Sequence, residues 1–403
     1  MSWLTAAEAL QLLGVRPQTL YAQVSRKAIR ARPDPRDVRR SLYHEQDVRR
    51  QAQRRAGRRR DETVASAAMG WGDPVLSTAI STVREGRLFY RGQEAVPLAE
   101  QATLEDIANL LWGGAATDDP GPEVAPPLVG TASGEAVTRA LEALARQVAA
   151  EASPLGQSPI QRRRQAWRVL HTVAQALIGD TGAVSLRPLH ERLALAWGSP
   201  GAAGLLRRAL VLLADHELNA SAFAARVCAS TGASLSACVL SGLATLTGPL
   251  HGGACARVLE LVDASLEKGP AAVLEPRLRR GMLYPAFGHP LYPDGDVRAR
   301  ALLPRLTLPV GFAELQALAL QAAGEHPTID FALAAMARQH GWGPQAPLTL
   351  FALSRCVGWL AHAQEQAAQG SLIRPRARYV GPELPASPVP QEPGPPPVSR
   401  WHP

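Results

Sequence analysis

Apolar residues recur at helical spacing over most of the chain. From Ala136 to Ala214 they return every three or four positions between breaks that are rich in Pro and Gly. Long alternating runs of Val, Ile and Thr, which would indicate strands, are absent. The pattern therefore predicts a mainly α-helical protein in which Gly113–Gly134 is a loop. The strongest helices are predicted at Leu98–Trp112, Arg257–Met282, Phe312–Gly341 and Leu348–Gln369.

The first sixty residues have a pattern of their own. Thr5 and Glu8 form a capping box that opens a short helix, which ends at a glycine. A second helix is predicted from Pro17 to Ser25, with proline in its first turn. The stretch Ile29–Tyr43 is predicted to be a wing-like loop, and a helix is predicted from Glu45 to about Arg60. Two short helices joined by a glycine turn make a helix-turn-helix.

Positive charge is concentrated in this same segment. Residues 1–60 contain 15 Lys and Arg against 5 Asp and Glu, a net charge of +10, whereas the whole chain carries +8. The segment resembles the winged helix-turn-helix of the MerR/excisionase type, whose second helix enters the major groove of DNA. The resemblance implies contacts to DNA from the exposed positions Gln18, Thr19, Tyr21 and Arg26. The alternative is a basic appendage that only docks on another part of the protein.

The remaining composition is that of a globular protein. At 403 residues the chain is long enough for two or three domains. It has no basic-then-apolar signal peptide, and charges interrupt its longest apolar stretches, so we expect a cytoplasmic protein that makes no membrane contact. Nine of the last 22 residues are proline, which predicts a disordered tail at Pro382–Pro403. Four cysteines without CxxC spacing are expected to be buried, reduced thiols with no chemical role: Cys228, Cys238, Cys255 and Cys356.

The segment Gly248–Gly253 places an imidazole inside a tight turn. Pro249 lacks a backbone donor and glycine is costly to order, so these residues cannot form the middle of a helix. The apolar positions that follow have helical spacing, which puts His251 at or just before a helix N-terminus. The positive end of the helix dipole disfavours an imidazolium, and we therefore expect a neutral His251 that donates a hydrogen bond.

Three separated segments resemble the motifs of the citrate synthase family. They are the GPLHGG turn around His251, the stretch from Phe287 to Arg298 with its histidine nine residues before the arginine, and the later Asp330 followed by Phe. Further matches are the DHELNAS stretch that begins at Asp215, the pair Ser354-Arg355 and the end Ile373-Arg374-Pro375. The resemblance runs from about Asp73 to about Gly381.

The resemblance implies a fold and an assembly. The fold would be a two-domain helical protein preceded by the small winged helix-turn-helix domain of residues 1–62. A large helical domain would comprise residues 63–250 and 339–381, and a small helical domain residues 251–338. The family implies a homodimer with a shared active site, in which Arg374 reaches the site of the neighbouring subunit.

The resemblance also implies a reaction. Acetyl-CoA would condense with oxaloacetate to give citrate and CoA, with no metal or other cofactor. Asp330 would remove the methyl proton, His251 would hydrogen-bond the enolate oxygen, and His289 would polarise the keto group of the acceptor. The dicarboxylate would be bound by His216, Arg298, Arg355 and Arg374, since arginine matches carboxylates with paired hydrogen bonds.

Three alternatives stay open at this point. Within the enzyme class they are 2-methylcitrate synthase and citryl-CoA lyase. From another class comes a DNA-binding regulator with a citrate synthase-like sensor body.

The sequence departs from the family pattern at one position that concerns CoA. The family commonly has a basic residue four or five positions after the histidine that is His289 here, where it helps to hold the CoA phosphates. This chain has Pro293 and Asp294 instead.

Overall fold

The structure, a computed structural model, divides into two compact units, Met1–Ala79 and Ile80–Pro403. It describes residues 3–13, 20–21, 23–24, 28–35, 37–49, 51–52, 76–113, 134–179, 187–279, 284–377 and 379–382. The predicted proline-rich tail, apart from Pro382, lies outside the described residues, as do Gln18, Thr19 and Arg26.

In the part that the structure describes, the first unit combines helical segments with a small antiparallel sheet. Its elements are β1 (Trp3–Leu4), α1 (Ala6–Leu13), β2 (Ala31–Asp34) and β3 (Asp37–His44), and the strand order is β1-β3-β2. The capping box is confirmed: the Thr5 amide donates to Glu8 Oε2 at 2.8 Å, and the Glu8 amide donates back to Thr5 Oγ1 at 3.4 Å. The core of the unit contains Ala9, Leu13, Leu20, Ile29, Tyr43 and Val48.

The predicted wing-like loop contains a β-hairpin. Ala31 pairs with Tyr43 and Pro33 with Ser41, and β3 packs against α1 with Tyr43 and His44 buried. Of the predicted second helix, residues 20–21 and 23–24 are described and are helical, and Tyr21 is 59% exposed. Residues 45–49 and 51–52 are helical as well. The helix-turn-helix as a whole stays a prediction.

The second unit begins with a three-stranded antiparallel sheet and continues almost entirely as helices. The strands are β4 (Ser81–Arg84), β5 (Arg87–Tyr90) and β6 (Gln93–Glu94). The first helices are α2 (Ala95–Gln101), α3 (Leu104–Leu111), α4 (Ala136–Val148), α5 (Pro159–Ile178), α6 (Leu189–Ala196), α7 (Ala203–Leu213), α8 (Ala220–Ser230) and α9 (Leu235–Leu246). The later helices are α10 (Ala254–Lys268), α11 (Pro270–Arg279), α12 (Val297–Leu302), α13 (Phe312–Ala323), α14 (Ile329–His340) and α15 (Ala346–Gln369). Short 3₁₀ turns occupy Pro200–Ala202 and Leu303–Arg305.

Three of the four predicted long helices are each two helices. The break between α2 and α3 falls at Thr103, which caps α3 by exchanging hydrogen bonds with Asp106. Gly269 separates α10 from α11 with a φ of 84°, and Gly324 ends α13 with a φ of 68°. The spacing of apolar residues resumes soon after each break, which is why the sequence pattern alone joined the helices. The final helix is confirmed at Ala346–Gln369, two residues longer than predicted.

Two hydrophobic cores organise the second unit. The larger core is built mainly from α2 to α9 and α15, with Trp359 and Leu353 fully buried in it. The smaller core joins α10, α11 and α13 around Phe312 and Phe331. Helix α14 belongs to both, since Leu333 packs in the larger core and Phe331 in the smaller one. The boundaries of a large and a small domain stay a prediction.

No helix in the described part of the chain is both long enough and apolar enough to cross a membrane.

Candidate active site

The glycine turn before α10 presents His251, as the sequence predicted. The turn needs a glycine at position 252, because a Cβ there would collide with the Leu246 carbonyl oxygen. The His251 Nε2 lies 2.9 Å from Ser221 Oγ on α8. Burial, and then the positive charge of Arg355, lower the pKa of His251 to about 4. The imidazole is therefore neutral at pH 7 as expected, but burial and Arg355 are the causes rather than the helix dipole alone.

Ser221 connects His251 to the first turn of α8. Its hydroxyl lies 2.7 Å from the Oδ1 of Asn219, the residue that caps α8, and it accepts the indole N–H of Trp359 at 3.1 Å. The hydroxyl has one proton and two neighbouring acceptors, Asn219 Oδ1 and His251 Nε2. The tautomer of His251 therefore depends on which of the two receives that proton.

His289 follows Gly288 in the segment before α12. Gly288 has a φ of 69°, and a Cβ on it would collide with the Glu325 carboxylate, so the turn requires glycine. The amide of Leu291 donates to His289 Nδ1 at 3.2 Å. Since Nδ1 accepts a hydrogen bond, the proton of the neutral ring lies on Nε2. Burial and then Arg298 lower the pKa of His289 to about 4, which keeps the ring neutral.

His216 lies against His289, with the two ring centroids 5.3 Å apart and the planes nearly perpendicular. Its Nε2 is 2.9 Å from the hydroxyl of Tyr292. Burial, followed by the charges of Arg298 and Arg355, lowers the pKa of His216 well below its ordinary value. Three neutral histidines are thus held beside cationic groups, which is an arrangement that disfavours any further positive charge.

The backbone that carries His216 is anchored by the buried Asp215. Its Oδ2 accepts the Ser81 hydroxyl and lies 3.3 Å from His362 Nε2. Arg226, which can only donate, lies 3.4 Å from His362 Nδ1, so Nε2 of His362 carries the proton and donates to Asp215. These bonds link α8, α15 and strand β4 to the one segment that positions His216.

Two buried arginines provide the positive charge of the site. Arg298 is 3% exposed and pairs with Asp296, the residue that caps α12, through Nε at 2.9 Å and Nη2 at 2.8 Å. Burial by itself lowers the pKa of Arg298, but Asp296 and Tyr292 outweigh it and the net shift is upward. This pairing leaves Nη1 of Arg298 outside the bidentate bond.

Arg355 on α15 is 1% exposed and only partly satisfied. Its Nε donates to the Leu213 carbonyl at 2.9 Å, and its guanidinium carbon lies 4.8 Å from the centroid of the Phe351 ring. Its Nη2 is buried and has no hydrogen-bond partner among the described residues. Burial is the largest cause that lowers the pKa of Arg355 to about 10, so the group is still charged at pH 7. A buried, charged donor without an acceptor is costly unless a ligand supplies one.

Asp330 lies in the first turn of α14. Its Oδ1 accepts a hydrogen bond from the Cys255 thiol at 3.3 Å, and its Oδ2 lies 3.4 Å from Thr328 Oγ1. Burial raises the pKa of Asp330, and Asp296 adds to this, while Cys255 and Arg298 oppose it. A carboxylate whose pKa is raised is a stronger base than one in water.

Two groups of contacts hold six of the seven site residues that the sequence indicated, and the electrostatic interactions of Arg355 with Arg298 and Asp330 couple the two groups. Tyr292 touches both His216 and His289 and lies under Arg298, and the ring of Phe351 lies between His251 and Arg355. Asp330 belongs to the group around Tyr292 through Asp296, whose carboxylate pairs with Arg298 and accepts the Ile329 amide at 2.9 Å. The seventh residue, Arg374, is exposed on the segment that follows α15.

Several residues of the site were missed in the sequence. Ser221, Tyr292 and Asp296 lie inside the matched motifs, so their position in the motifs was a usable signal. Cys255 follows the glycine turn directly, but a lone cysteine at an apolar helical position gave no reason to assign it a role. Trp359 lies one helical turn after Arg355, and only the fold shows that it reaches Ser221. Among the described residues, no three His, Cys, Asp or Glu side chains are grouped so as to hold a metal ion.

The fold and the site define a mainly helical protein whose candidate site has two buried arginines beside three neutral histidines and a carboxylate. The family model described as "Citrate synthase, C-terminal domain" matches residues 69–376, and the chain belongs to the citrate synthase family.

Two relatives and one solved structure give the extent of the similarity. Citrate synthase 2 of Bacillus subtilis is 36% identical over 199 residues, which is 46% of this chain and 53% of the relative. The 2-methylcitrate synthase of Shewanella oneidensis is 30% identical over 360 residues, 77% of this chain and 93% of the relative. The crystal structure of citrate synthase from Thermotoga maritima has a TM-score of 0.64 and 25% identity, and the match covers 80% of this chain and 98% of that one. The match thus spans about half the length of the first relative and nearly all of the second.

Proposed function

We propose that the protein is a citrate synthase-type enzyme that condenses an acyl-CoA, acetyl-CoA in the first instance, with oxaloacetate to give citrate and CoA. The observation that carries the proposal is the buried Nη2 of Arg355, a charged donor with no acceptor among the described residues, beside a second buried arginine. A dicarboxylate supplies the acceptors that these donors need. The matches to citrate synthases and to a 2-methylcitrate synthase support the same reaction class.

The carboxylate of Asp330 is the base in this proposal. A methyl group next to a thioester is very weakly acidic, so the base must touch it, and the developing enolate oxygen needs a hydrogen-bond donor. Burial has raised the pKa of Asp330, which strengthens it as a base. His251 is the donor to the enolate, and it donates without transferring a proton completely because its pKa of about 4 keeps the ring neutral.

The donor role requires one tautomer of His251. If Ser221 gives its proton to Nε2, the ring carries its own hydrogen on Nδ1 and can donate it to the enolate oxygen. Ser221 Oγ is near enough for this bond at 2.9 Å and accepts the Trp359 indole N–H at the same time. Its proton then leaves Asn219 Oδ1, which keeps the Ala222 amide as a donor. On the other side of the site, His289 carries its proton on Nε2 and can donate to the keto oxygen of the acceptor. Both carbon centres are then polarised before the new bond forms.

In this proposal His216, Arg298 and Arg355 bind the dicarboxylate substrate, and a second subunit contributes Arg374. Arg374 is exposed in the single chain, as a residue that reaches a neighbouring subunit must be. We therefore propose a homodimer whose active sites combine residues of both chains. Pro293 and Asp294 are both exposed and offer no cation, so either arginines elsewhere bind the CoA phosphates or the affinity for the thioester is altered.

The acyl group of the CoA substrate can be acetyl or propionyl in this proposal. One methylene changes selectivity by only about 1–3 kcal/mol, and the match to a 2-methylcitrate synthase over 93% of its length keeps that activity as the second candidate. Citryl-CoA cleavage breaks the carbon–carbon bond that the condensation forms, and it stays as the third candidate activity.

A dual role with DNA is proposed for the first unit. The net charge of +10 on residues 1–60, the capped helix α1, the adjoining β-hairpin and the exposed Tyr21 support a winged helix-turn-helix. A protein that starts at Glu62 should keep its condensation rate and lose affinity for duplex DNA, and the affinity of the full chain should fall linearly with salt on logarithmic axes. Full-length protein that shows no DNA retention at low salt would leave only the docking role.

The enzymatic proposal is tested by measuring free thiol release over a small matrix of acyl-CoAs and 2-keto acids. We expect CoA release that depends on oxaloacetate. The matched variant Asp330→Asn should lose about 10²–10⁴-fold or more in rate while it still binds citrate, because only the base is removed. Thiol release that does not need oxaloacetate, or a fully active Asp330→Asn, would refute the proposal.

A further inference from the structure

The contact between Cys255 and Asp330 assigns a role to a cysteine that sequence analysis left without one. Cys255 lies in the first turn of α10, four residues after His251, and is 3% exposed. Its Sγ lies 3.3 Å from Asp330 Oδ1. Burial, and then Asp330 itself, raise the pKa of the Cys255 thiol well above its ordinary value. The sulfur therefore keeps its hydrogen at all working pH values and can only act as the donor in this contact.

We propose that Cys255 is a positioning residue for Asp330, whose thiol holds one carboxylate oxygen and so directs the other toward the substrate. The proposal rests on the proposed function, because it takes Asp330 as the base.

The geometry explains why a weak donor suits this position. Without the thiol, the carboxylate keeps the long 3.4 Å contact from Thr328 Oγ1 to Oδ2 and is freer to rotate about its terminal bond, and only some of its orientations would put an oxygen against a methyl proton. A strong, charged donor would hold it in place but would also remove the basicity that the reaction needs. A thiol is a weak donor, and it lies on the element that also carries His251, so one helix start orients both the base and the enolate donor.

Four other groups face the same carboxylate and set its charge balance. Thr328, the residue that caps α14, lies beside the second oxygen. Arg298 of α12 stabilises the ionised form, Asp296 opposes it, and the charge of Arg355 on α15 also acts on Asp330. Loss of the Cys255 donor therefore leaves a base that is still ionisable, but at a higher pH, since the burial that disfavours its charge is then opposed by fewer groups.

The test compares Cys255→Ala, which removes the donor, with Cys255→Ser, which keeps a donor of similar size. In the alanine variant, the acid limb of the pH profile of kcat/KM for the acyl-CoA should move to higher pH by about half a unit to one unit. At a fixed pH on that limb, kcat/KM should then be about three- to tenfold lower than in the wild type. The serine variant should return the limb to the wild-type pH or below it. Cys238→Ala, a buried cysteine of α9 outside the site, is the control for a simple cavity. If the acid limb stays at the wild-type pH in Cys255→Ala, or moves by the same amount in Cys238→Ala, the proposal is overturned.

Infrared spectroscopy separates this inference from the proposed function. The protonated carboxyl band of Asp330, isolated by subtracting the spectrum of Asp330→Asn, should appear at higher pH in Cys255→Ala than in the wild type, whatever reaction the protein catalyses. In the otherwise unchanged chain, Asp330→Asn should shift one S–H band to higher wavenumber, because an amide oxygen accepts more weakly than a carboxylate. This second measurement does not depend on whether Cys255→Ala folds. An unshifted S–H band would overturn the contact, whereas a shifted band in a protein without condensation activity would overturn the proposed function alone.

Discussion

The same substitution, glycine to alanine, should have opposite effects at two helical positions of the second unit. Gly358 lies inside α15, where a Cβ would stand 2.5 Å from the Ala214 carbonyl oxygen and would collide with the Asp215 carboxylate. Gly204 lies in the first turn of α7, is exposed, and has nothing within 4 Å of an added Cβ. Both variants gain the helix propensity of alanine, and only one of them meets an obstacle.

The magnitudes follow from these contacts. At an unobstructed helical position, Gly→Ala stabilises by about 0.4–1 kcal/mol. At Gly358 the overlap with a backbone oxygen is about 1 Å and cannot be relieved by a side-chain rotation, so we expect the overpacking cost of about 1–3 kcal/mol or more to exceed that gain. The residues that must move directly precede His216, and the rate should therefore fall together with the stability.

The assay is chemical denaturation of both variants at one protein concentration, followed by the oxaloacetate KM and kcat of each. The Gly204→Ala midpoint should be at or above that of the wild type with unchanged kinetics. The Gly358→Ala midpoint should be lower and its KM for oxaloacetate higher. A Gly358→Ala protein as stable and as active as the wild type would refute the packing argument for α15.

Three further predictions concern catalysis, assembly and pH. Ser221→Ala should lower kcat by about 10- to 100-fold with little change in KM, because the enolate donor loses the partner that sets its tautomer; an unchanged kcat would assign the donor role elsewhere. Co-expressed Asp330→Asn and Arg374→Ala chains should recover about a quarter of wild-type activity by symmetry counting, although each homodimer is nearly inactive; no recovery means that Arg374 acts in its own chain or not at all. In the first unit, the hydrogen bond from Arg30 lowers the pKa of Asp47 from 3.8 to about 2, so the folded form binds this proton less tightly than the unfolded chain. The stabilisation is then complete above about pH 4 and is lost as the pH falls toward 2, and Asp47→Asn should remove that part of the acid transition in a denaturation series.

The sequence predicted the character of the fold and the centre of the site because both depend on local signals. The Gly248–Gly253 turn, the Thr5 capping box and the apolar run of α15 are each decided by neighbouring residues, and the structure confirms them. The breaks at Thr103, Gly269 and Gly324 were missed since apolar spacing resumes soon after each of them, and one cap or one glycine with a positive φ marks each break.

The spacing of apolar residues along the sequence could not predict contacts between distant segments. Trp359 reaches Ser221 across 138 positions of the chain, and Cys255 reaches Asp330 across 75. The neutral state of His251 was expected, yet its main causes, burial and a positive charge from α15, belong to the tertiary structure. The role of Arg374 still stands as a prediction, because its side chain is exposed in the single chain and its partner would be another subunit.

Helix α14 couples the chemistry to both cores. Leu333 on one face packs into the larger core and Phe331 on the other into the smaller core, while Asp330 lies in the first turn between them. If the cores shift against each other, the helix must turn about its axis to keep both sets of contacts. At a side-chain radius of about 5–6 Å, a turn of about 10° moves the carboxylate by about 1 Å, a displacement that can change a rate about 100-fold. Substitutions that change the packing of either core, even far from any ligand, can therefore lower the rate by displacing the carboxylate of Asp330.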